Sequence, residues 1–243
     1  MFVKRIIKRV VYGSKSDSQT YIKHLKQIGM RVGDRVVIYE PRSVCIDETR
    51  PYLVNIGNDV KITRGVTILT HGYDWSVLSE THSCVLGSAG AVSIGNNVFI
   101  GMNSTILKGV TVGNNVIIGA NSLVNKNVPD NCVVAGNPAK IICSVDDYYT
   151  KRCVAQKEEA FEMYCKYLSS YGKEPAIDVF DEFFWLFQRR NEELHPSFLR
   201  QMKWHDNFDK MLSNFKNSTQ EFDGYEKFLE EARKYCSEKY GQI

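Results

Sequence analysis

An aliphatic residue recurs every six positions through the middle of this chain. The step from Val32 gives Val32, Ile38, Val44, Arg50, Ile56, Ile62 and Ile68, and the step from Ile94 gives Ile94, Ile100, Ile106, Val112, Ile118 and Val124. Only Arg50 is neither Ile nor Val. The next position is often glycine, as at Gly33, Gly57, Gly95, Gly101, Gly113 and Gly119. Neither the 3.6-residue period of a helix nor the strict alternation of a strand produces this pattern, and a Val-rich β-sandwich would not hold a six-residue phase for so long. The physical reading is a parallel β-helix. Three six-residue rungs close one triangular coil, each rung points its aliphatic inward, and Gly and Asn stand where the backbone turns through positive φ. Such a solenoid buries its core only by stacking and needs caps at its ends.

The phase breaks once. Ile68 and Ile94 are 26 residues apart, about eight more than one full coil. A surface excursion is therefore expected over about residues 73–87, carrying Tyr73, Asp74, Trp75 and, further on, His82. Insertions in solenoids run over the surface and commonly carry function.

Composition divides the chain in three. Residues 1–31 hold eight Lys or Arg against one Asp, residues 32–145 contain 12 of the 17 glycines, and residues 146–243 contain 20 of the 28 aromatics. The domains expected are an N-terminal helical cap (1–31), a β-helix (32–145) and an α-helical C-terminal extension (146–243). Within the extension, Ser144 is placed to cap a helix running to about Gly172. Pro175 and Pro196 sit near the starts of two more, and a last helix spans roughly Phe222 to Tyr240. The run Phe180, Phe183, Phe184, Trp185 and Phe187 needs cover, from a helical bundle or a neighbouring subunit.

The net charge of +3 is too small to imply a nucleic-acid partner. No apolar run approaches the ~20 residues that span a bilayer, and no signal peptide is expected, so the cytoplasm is the default location. The basic, amphipathic start (Lys4, Arg5, Ile6, Ile7, Lys8, Arg9, Val10, Val11) has two readings, a cap on the first coil or attachment to an anionic membrane surface. Seven scattered cysteines without a Cys-x-x-Cys pair read as free thiols of a reducing compartment, and no metal site is expected.

The rungs, the segment Ile68-Leu69-Thr70-His71, the block Ile94-Gly95-Asn96-Asn97-Val98-Phe99-Ile100-Gly101 and the closing Gly136-Asn137-Pro138-Ala139-Lys140 carry a resemblance. They resemble the hexapeptide-repeat acyltransferases, in the branch of the galactoside, maltose and polysaccharide O-acetyltransferases. The resemblance covers about residues 20–145. It implies a left-handed parallel β-helix, acetyl-coenzyme A as donor and co-substrate, a homotrimer with active sites between subunits, and transfer to a sugar hydroxyl.

Moving acetyl from a thioester to a hydroxyl calls for a base that works near neutrality, and histidine suits that range. By resemblance the base is His71, with His82 in reserve. The oxyanion donor is a main-chain N–H at Gly101-Met102, Met102 standing where some relatives carry Ser. Phe99, Gly101, Ala120, Asn125, Lys126 and Lys140 match donor-binding positions. Asp47, Arg50, Asp74, Trp75 and His82 are candidate acceptor contacts. Arg50, read as replacing an inward aliphatic, must turn outward, pair with an acid such as Asp47, or serve the acceptor, because an unpaired buried charge is costly. Trp75 either stacks on a sugar or anchors the loop. Cys84 is the competing nucleophile.

Two other functions stay open, and a third is argued against. An amino-sugar N-acetyltransferase would use the same base and donor, and a non-catalytic β-helical scaffold would bind no coenzyme A. A zinc enzyme on this scaffold needs three converging His, and the β-helix holds only His71 and His82.

Overall fold

The computed structural model describes residues 11–204 and 207–241. Most of the basic start, residues 1–10, lies outside them, and with it that part of the cap and membrane readings. The chain divides into two units, Met1–Tyr148 and Tyr149–Ile243.

The first unit is a three-sided parallel β-solenoid. Its strands are β1 (Arg31–Val32), β2 (Val37–Ile38), β3 (Cys45–Ile46), β4 (Val54–Ile56), β5 (Lys61–Ile62), β6 (Thr67–Ile68), β7 (Val92–Ile94), β8 (Val98–Ile100), β9 (Thr105–Ile106), β10 (Thr111–Val112), β11 (Val116–Ile118), β12 (Leu123–Val124), β13 (Cys132–Ala135) and β14 (Lys140–Ser144). Up to β12, every third strand joins the same sheet. The first sheet runs β1-β4-β7-β10, the second β2-β5-β8-β11-β13-β14 and the third β3-β6-β9-β12. All neighbours are parallel except the terminal pair β13–β14.

The strands are only two to five residues long, so their stability comes from the columns of side chains inside. One column is Val32, Ile56, Ile94 and Val112, continued by Val128. A second is Ile38, Ile62, Ile100, Ile118 and Val134. A third is Ile46, Ile68, Ile106 and Val124. All are buried, and each such side chain contributes about 1.5–3 kcal/mol relative to exposure.

The edge between the first and second sheets is held by polar stacking. Asn58 Oδ1 accepts from Asp34 N at 2.7 Å, Asn96 Oδ1 from Asn58 N at 2.8 Å, Asn114 Oδ1 from Asn96 N at 2.8 Å, and Asp130 Oδ1 from Asn114 N at 2.7 Å. The following residues Asn97, Asn115 and Asn131 take φ of 54°, 54° and 58°, a conformation asparagine tolerates better than most residues. Just before this turn the coils touch. A Cβ on Gly95 would lie 2.6 Å from Gly113 O, so only glycine fits.

Two features of the winding differ from the six-residue count. The third column begins at Ile46. Val44 is buried too, but the registers Cys45–Thr67, Thr67–Thr105 and Leu123–Thr105 stack it over Val66, Ser104 and Ser122. The first coil therefore runs 24 residues, from Val32 to Ile56, and Arg50 lies in the connection from β3 to β4 rather than on a ladder. The surplus over eighteen equals one rung, so the phase passes through it undisturbed. The second difference is the excursion. β6 is followed directly by β7, so the 26 residues from Ile68 to Ile94 contain a single rung step. The insertion is much longer than the eight residues the count implied, and within it lies the helix Trp75–His82.

Both ends of the stack carry extra chain. The helix α1 (Ser18–Gln27) buries Tyr21 and Leu25 in the same core as Met30 and Val32. Asp17 caps it, accepting from Thr20 N at 2.9 Å, and Ser18 Oγ accepts from Ile38 N at 2.9 Å. At the other end β14 turns back antiparallel along β13. The loop helix Trp75–His82 is α2.

The second unit is helical. Its helices are α3 (Val145–Tyr171, which starts just ahead of the division), α4 (Pro196–Met202), α5 (Phe208–Asn217) and α6 (Tyr225–Tyr240). Ser144 Oγ accepts from Asp147 N at 3.0 Å, capping α3. The Pro175 segment forms only a one-turn 3-10 helix, Ile177–Phe180, and α5 has no proline to announce it. Phe180, Phe184 and Phe187 pack in the unit's own core with Phe161, Phe198, Phe215 and Phe228, so the aromatic run is covered within the helical unit itself. Cys165 and Cys236 form a disulfide between α3 and α6, with Cα atoms 5.6 Å apart. The expectation of seven free thiols is therefore corrected.

Candidate active site

Both long connections leave the solenoid at one edge, between the third and first sheets. Residues 47–53 leave the first coil and 69–91 the second, whereas the third and fourth coils cross this edge in three residues each, 107–109 and 125–127, ahead of the buried Val110 and Val128. Coils stack at the ~4.8 Å spacing of adjacent strands, so the two connections are neighbours.

Where they meet, His71 and Asp47 form a pair. His71 Nδ1 is 2.6 Å from Asp47 Oδ2, with side-chain exposures of 12% and 4%. Asp47 is therefore a partner of the histidine, not a free acceptor contact. Its carboxylate is held from both sides. Oδ1 accepts from Thr49 N at 3.0 Å and Thr49 Oγ1 at 2.6 Å, and Oδ2 accepts from Thr70 N at 3.3 Å and from the Thr70 hydroxyl. Burial pushes the Asp47 carboxyl up, but the hydrogen bonds from Thr49, Thr70 and His71 outweigh it and leave the group well below the usual carboxylate range. An ionised Asp47 has no proton to give, so His71 Nδ1 is the donor and Nε2 carries the free lone pair of a base.

The remaining loop residues frame the imidazole. Tyr73 lies edge-on to His71 with ring centroids 4.9 Å apart, and Trp75 lies 6.2 Å beyond it. The His71–Ala89 bridge and the bonds Gly72 N to Ser88 O and Gly90 N to Thr70 O close the base of the loop. Asp74 is exposed ahead of α2, and His82 is exposed at its end, 2.7 Å from Thr81 Oγ1. Cys84 is half-buried further along the loop.

Phe99, Gly101, Met102 and Ala120 lie elsewhere, on the second sheet and its edge with the third. Phe99 pairs with Lys61 and Ile117 in the sheet. Phe99 and Met102 are exposed at 43% and 51%, Ala120 is exposed one coil beyond Met102, and Asn121 N donates to Met102 O at 2.8 Å. Gly101 N–H donates to Ile118 O at 2.8 Å and is unavailable to an oxyanion. Met102 N–H has no hydrogen bond among the described residues. Lys140, exposed on β14, belongs to the second sheet, whereas Asn125 and Lys126 lie on the His71 edge two coils away. A single chain thus does not gather the expected donor and base residues into one cleft. Among the described residues no group of three or more metal-binding side chains occurs, and no helix is long and apolar enough to cross a membrane.

The residues missed in the sequence are Thr49 and Thr70, which fix the carboxylate. No spacing in the sequence announces the pair, since the register of Ile46 on Ile68 stacks Asp47 on Leu69 and His71 reaches it from two residues farther along.

The family profile described as bacterial transferase hexapeptide (six repeats) matches residues 91–126. Protein CapG of Staphylococcus aureus is 46% identical over 132 residues, 52% of this chain and 73% of CapG. The chain belongs to the hexapeptide-repeat bacterial transferases. Among other members of this family, the galactoside O-acetyltransferase of Escherichia coli is 39% identical over 104 residues, 41% of this chain and 50% of that protein. The chain thus matches only half the length of that relative. A solved hexapeptide-repeat acetyltransferase of Vibrio cholerae, complexed with acetyl coenzyme A, is 31% identical with a TM-score of 0.40, covering 47% of this chain and 60% of that one.

Proposed function

We propose that this hexapeptide-repeat transferase moves an acetyl group from acetyl-coenzyme A to a sugar hydroxyl, in a surface polysaccharide or its precursor, with His71 as general base. The observation that carries the reading is the buried Asp47–His71 pair at the one edge from which both insertions emerge. The names of the relatives support the chemistry, one being a galactoside O-acetyltransferase and another a putative acetyltransferase of Bacillus subtilis.

His71 Nε2 takes the acceptor hydroxyl proton as the oxygen attacks the thioester carbonyl. A new ester C–O bond forms, the C–S bond breaks, and the protonated imidazole returns the proton to the departing sulfur. Asp47 stabilises the imidazolium and holds the ring. The Met102 N–H is the oxyanion donor, a role whose loss costs about 3–4 kcal/mol in related chemistry.

The residues present fit the donor. Exposed Phe99 and Met102 offer an apolar platform, small Ala120 admits close backbone approach, and Lys126 and Lys140 offer exposed cations for phosphate. Because His71 and the donor residues Phe99 and Met102 lie on different edges of one chain, the complete site takes Phe99 and Met102 from one copy and His71 from the next. A homotrimer of left-handed coils provides three such clefts. The enzyme acts in the cytoplasm, where no membrane need be crossed to reach donor or acceptor.

The test is transfer followed by thiol release, in the full chain and in His71→Ala. The variant is expected to remain oligomeric and to keep its thermal stabilisation by acetyl-coenzyme A, while turnover falls by several orders of magnitude. Near-normal turnover refutes His71 as base. No stabilisation of the unaltered protein by millimolar acetyl-coenzyme A favours the scaffold.

A further inference from the structure

We propose that Arg50 reads the acceptor and that the acceptor carries an oxyanion, either the carboxylate of a hexuronate or the phosphate of a sugar phosphate. This rests on the acetyl-transfer reading and narrows its substrate class.

Arg50 belongs to the insertion 47–53 and stands three residues after the carboxylate that holds His71. Its Nη1 is shut off from solvent and has no hydrogen-bond partner among the described residues. Nearly every buried donor in a folded protein has a partner, so an orphaned nitrogen on a permanently charged group asks for one from outside the chain. The acids nearest in sequence are already engaged. Asp47 accepts from Thr49, Thr70 and His71. Glu48 accepts from Tyr21 Oη at 2.7 Å and pairs with His24 Nε2 at 2.8 Å.

The chemistry of the guanidinium selects the missing partner. Its donors form a rigid fork that matches carboxylate and phosphate oxygens, and it does not deprotonate. A neutral hydroxyl fills one donor but leaves the charge unanswered in a partly buried place. A negative oxygen answers both. Placement agrees with this: the connection that brings Asp47 to His71 is also the one that carries Arg50, and the third and fourth coils omit it.

The experiment compares methyl glucuronide, glucose 6-phosphate and methyl glucoside as acceptors, with the full-length protein and its Arg50→Met and Arg50→Lys variants. The unaltered protein is expected to favour one of the charged acceptors by roughly ten- to hundredfold in kcat/KM, the range of a charge-assisted hydrogen bond. In Arg50→Met the ratio collapses toward one, mainly through KM, with Arg50→Lys between. The winning acceptor separates carboxylate from phosphate. A neutral acceptor used as well as the charged ones, or a preference that survives in Arg50→Met, overturns the proposal; both outcomes follow if the partner is instead an acid of a neighbouring copy. Should Arg50→Met fail to fold, the comparison in the unaltered protein decides alone. Should none of the three be acetylated, melting shifts with the same compounds decide the role of Arg50, which equal shifts by charged and neutral sugars overturn, while stabilisation by acetyl-coenzyme A separately decides the transfer reading.

Discussion

Replacing Asp47 by Asn removes one charge and almost no volume, yet the site has no comfortable orientation for the amide. Both carboxylate oxygens are acceptors, Oδ1 facing Thr49 N and its hydroxyl, Oδ2 facing Thr70 and His71 Nδ1. An asparagine must turn its NH2 toward one of these sets. The Thr49 main-chain N–H cannot rotate, and leaving it against another donor costs on the order of 1–3 kcal/mol. On the other side the Thr70 main-chain N–H is also fixed but lies farther off, at 3.3 Å against 3.0 Å for Thr49 N, while the Thr70 hydroxyl can swing to accept and His71 can move its proton from Nδ1 to Nε2. The NH2 is therefore expected on the His71 side, where it selects the wrong tautomer and occupies the lone pair of the base. A carboxylate-to-amide change with this consequence lowers kcat by about 10⁴ in a serine protease. Here about 10³- to 10⁴-fold is expected, or roughly 4–5.5 kcal/mol of barrier. The assay is steady-state thiol release at saturating acetyl-coenzyme A, with the melting temperature as a check on folding. A folded Asp47→Asn protein with kcat within tenfold of the original refutes the argument.

Two further outcomes follow from the packing. In Gly95→Ala the added Cβ meets Gly113 O at 2.6 Å and Gly113 C at 2.7 Å, backbone atoms that cannot swing aside, so about 1–3 kcal/mol or more is lost in thermal unfolding; Gly87→Ala, with nothing within 4 Å, is the control and stays within about 0.5 kcal/mol. In the helical unit the Arg233 guanidinium and the Tyr164 hydroxyl pull the Glu174 carboxyl from 4.5 down to about 2. Its folded value lies below the unfolded one, so its stabilisation is present above about pH 4.5 and is lost as the pH falls toward 2. Helix content followed through an acid titration is expected to drop at higher pH in Glu174→Gln, and coincident curves would contradict the assignment.

The ladders were legible because each inward position repeats on the same residue type. Val44 and Arg50 were misread for a physical reason: a six-residue insertion is invisible to a six-residue count, and Val44 is itself buried, two positions before Ile46. The same count could not distinguish one rung step from several between Ile68 and Ile94. His71 was picked out by its position before the loop, but its pairing with Asp47 depends on the length of a coil that was misjudged. The Cys165–Cys236 disulfide and α5 left no periodic trace, since helix packing among aromatics is decided by tertiary contacts.

The two ends of the stack bear on a hazard built into such architectures. A coil with bare strand edges is a template for the next molecule, and parallel rungs left open would polymerise end to end. Here α1 lies over the first coil, and β14 reverses direction along β13 where a continuing parallel strand would dock. Growth along the axis is blocked at the second sheet by a strand of the wrong polarity, which leaves lateral association as the route by which copies of this chain can assemble without forming fibrils.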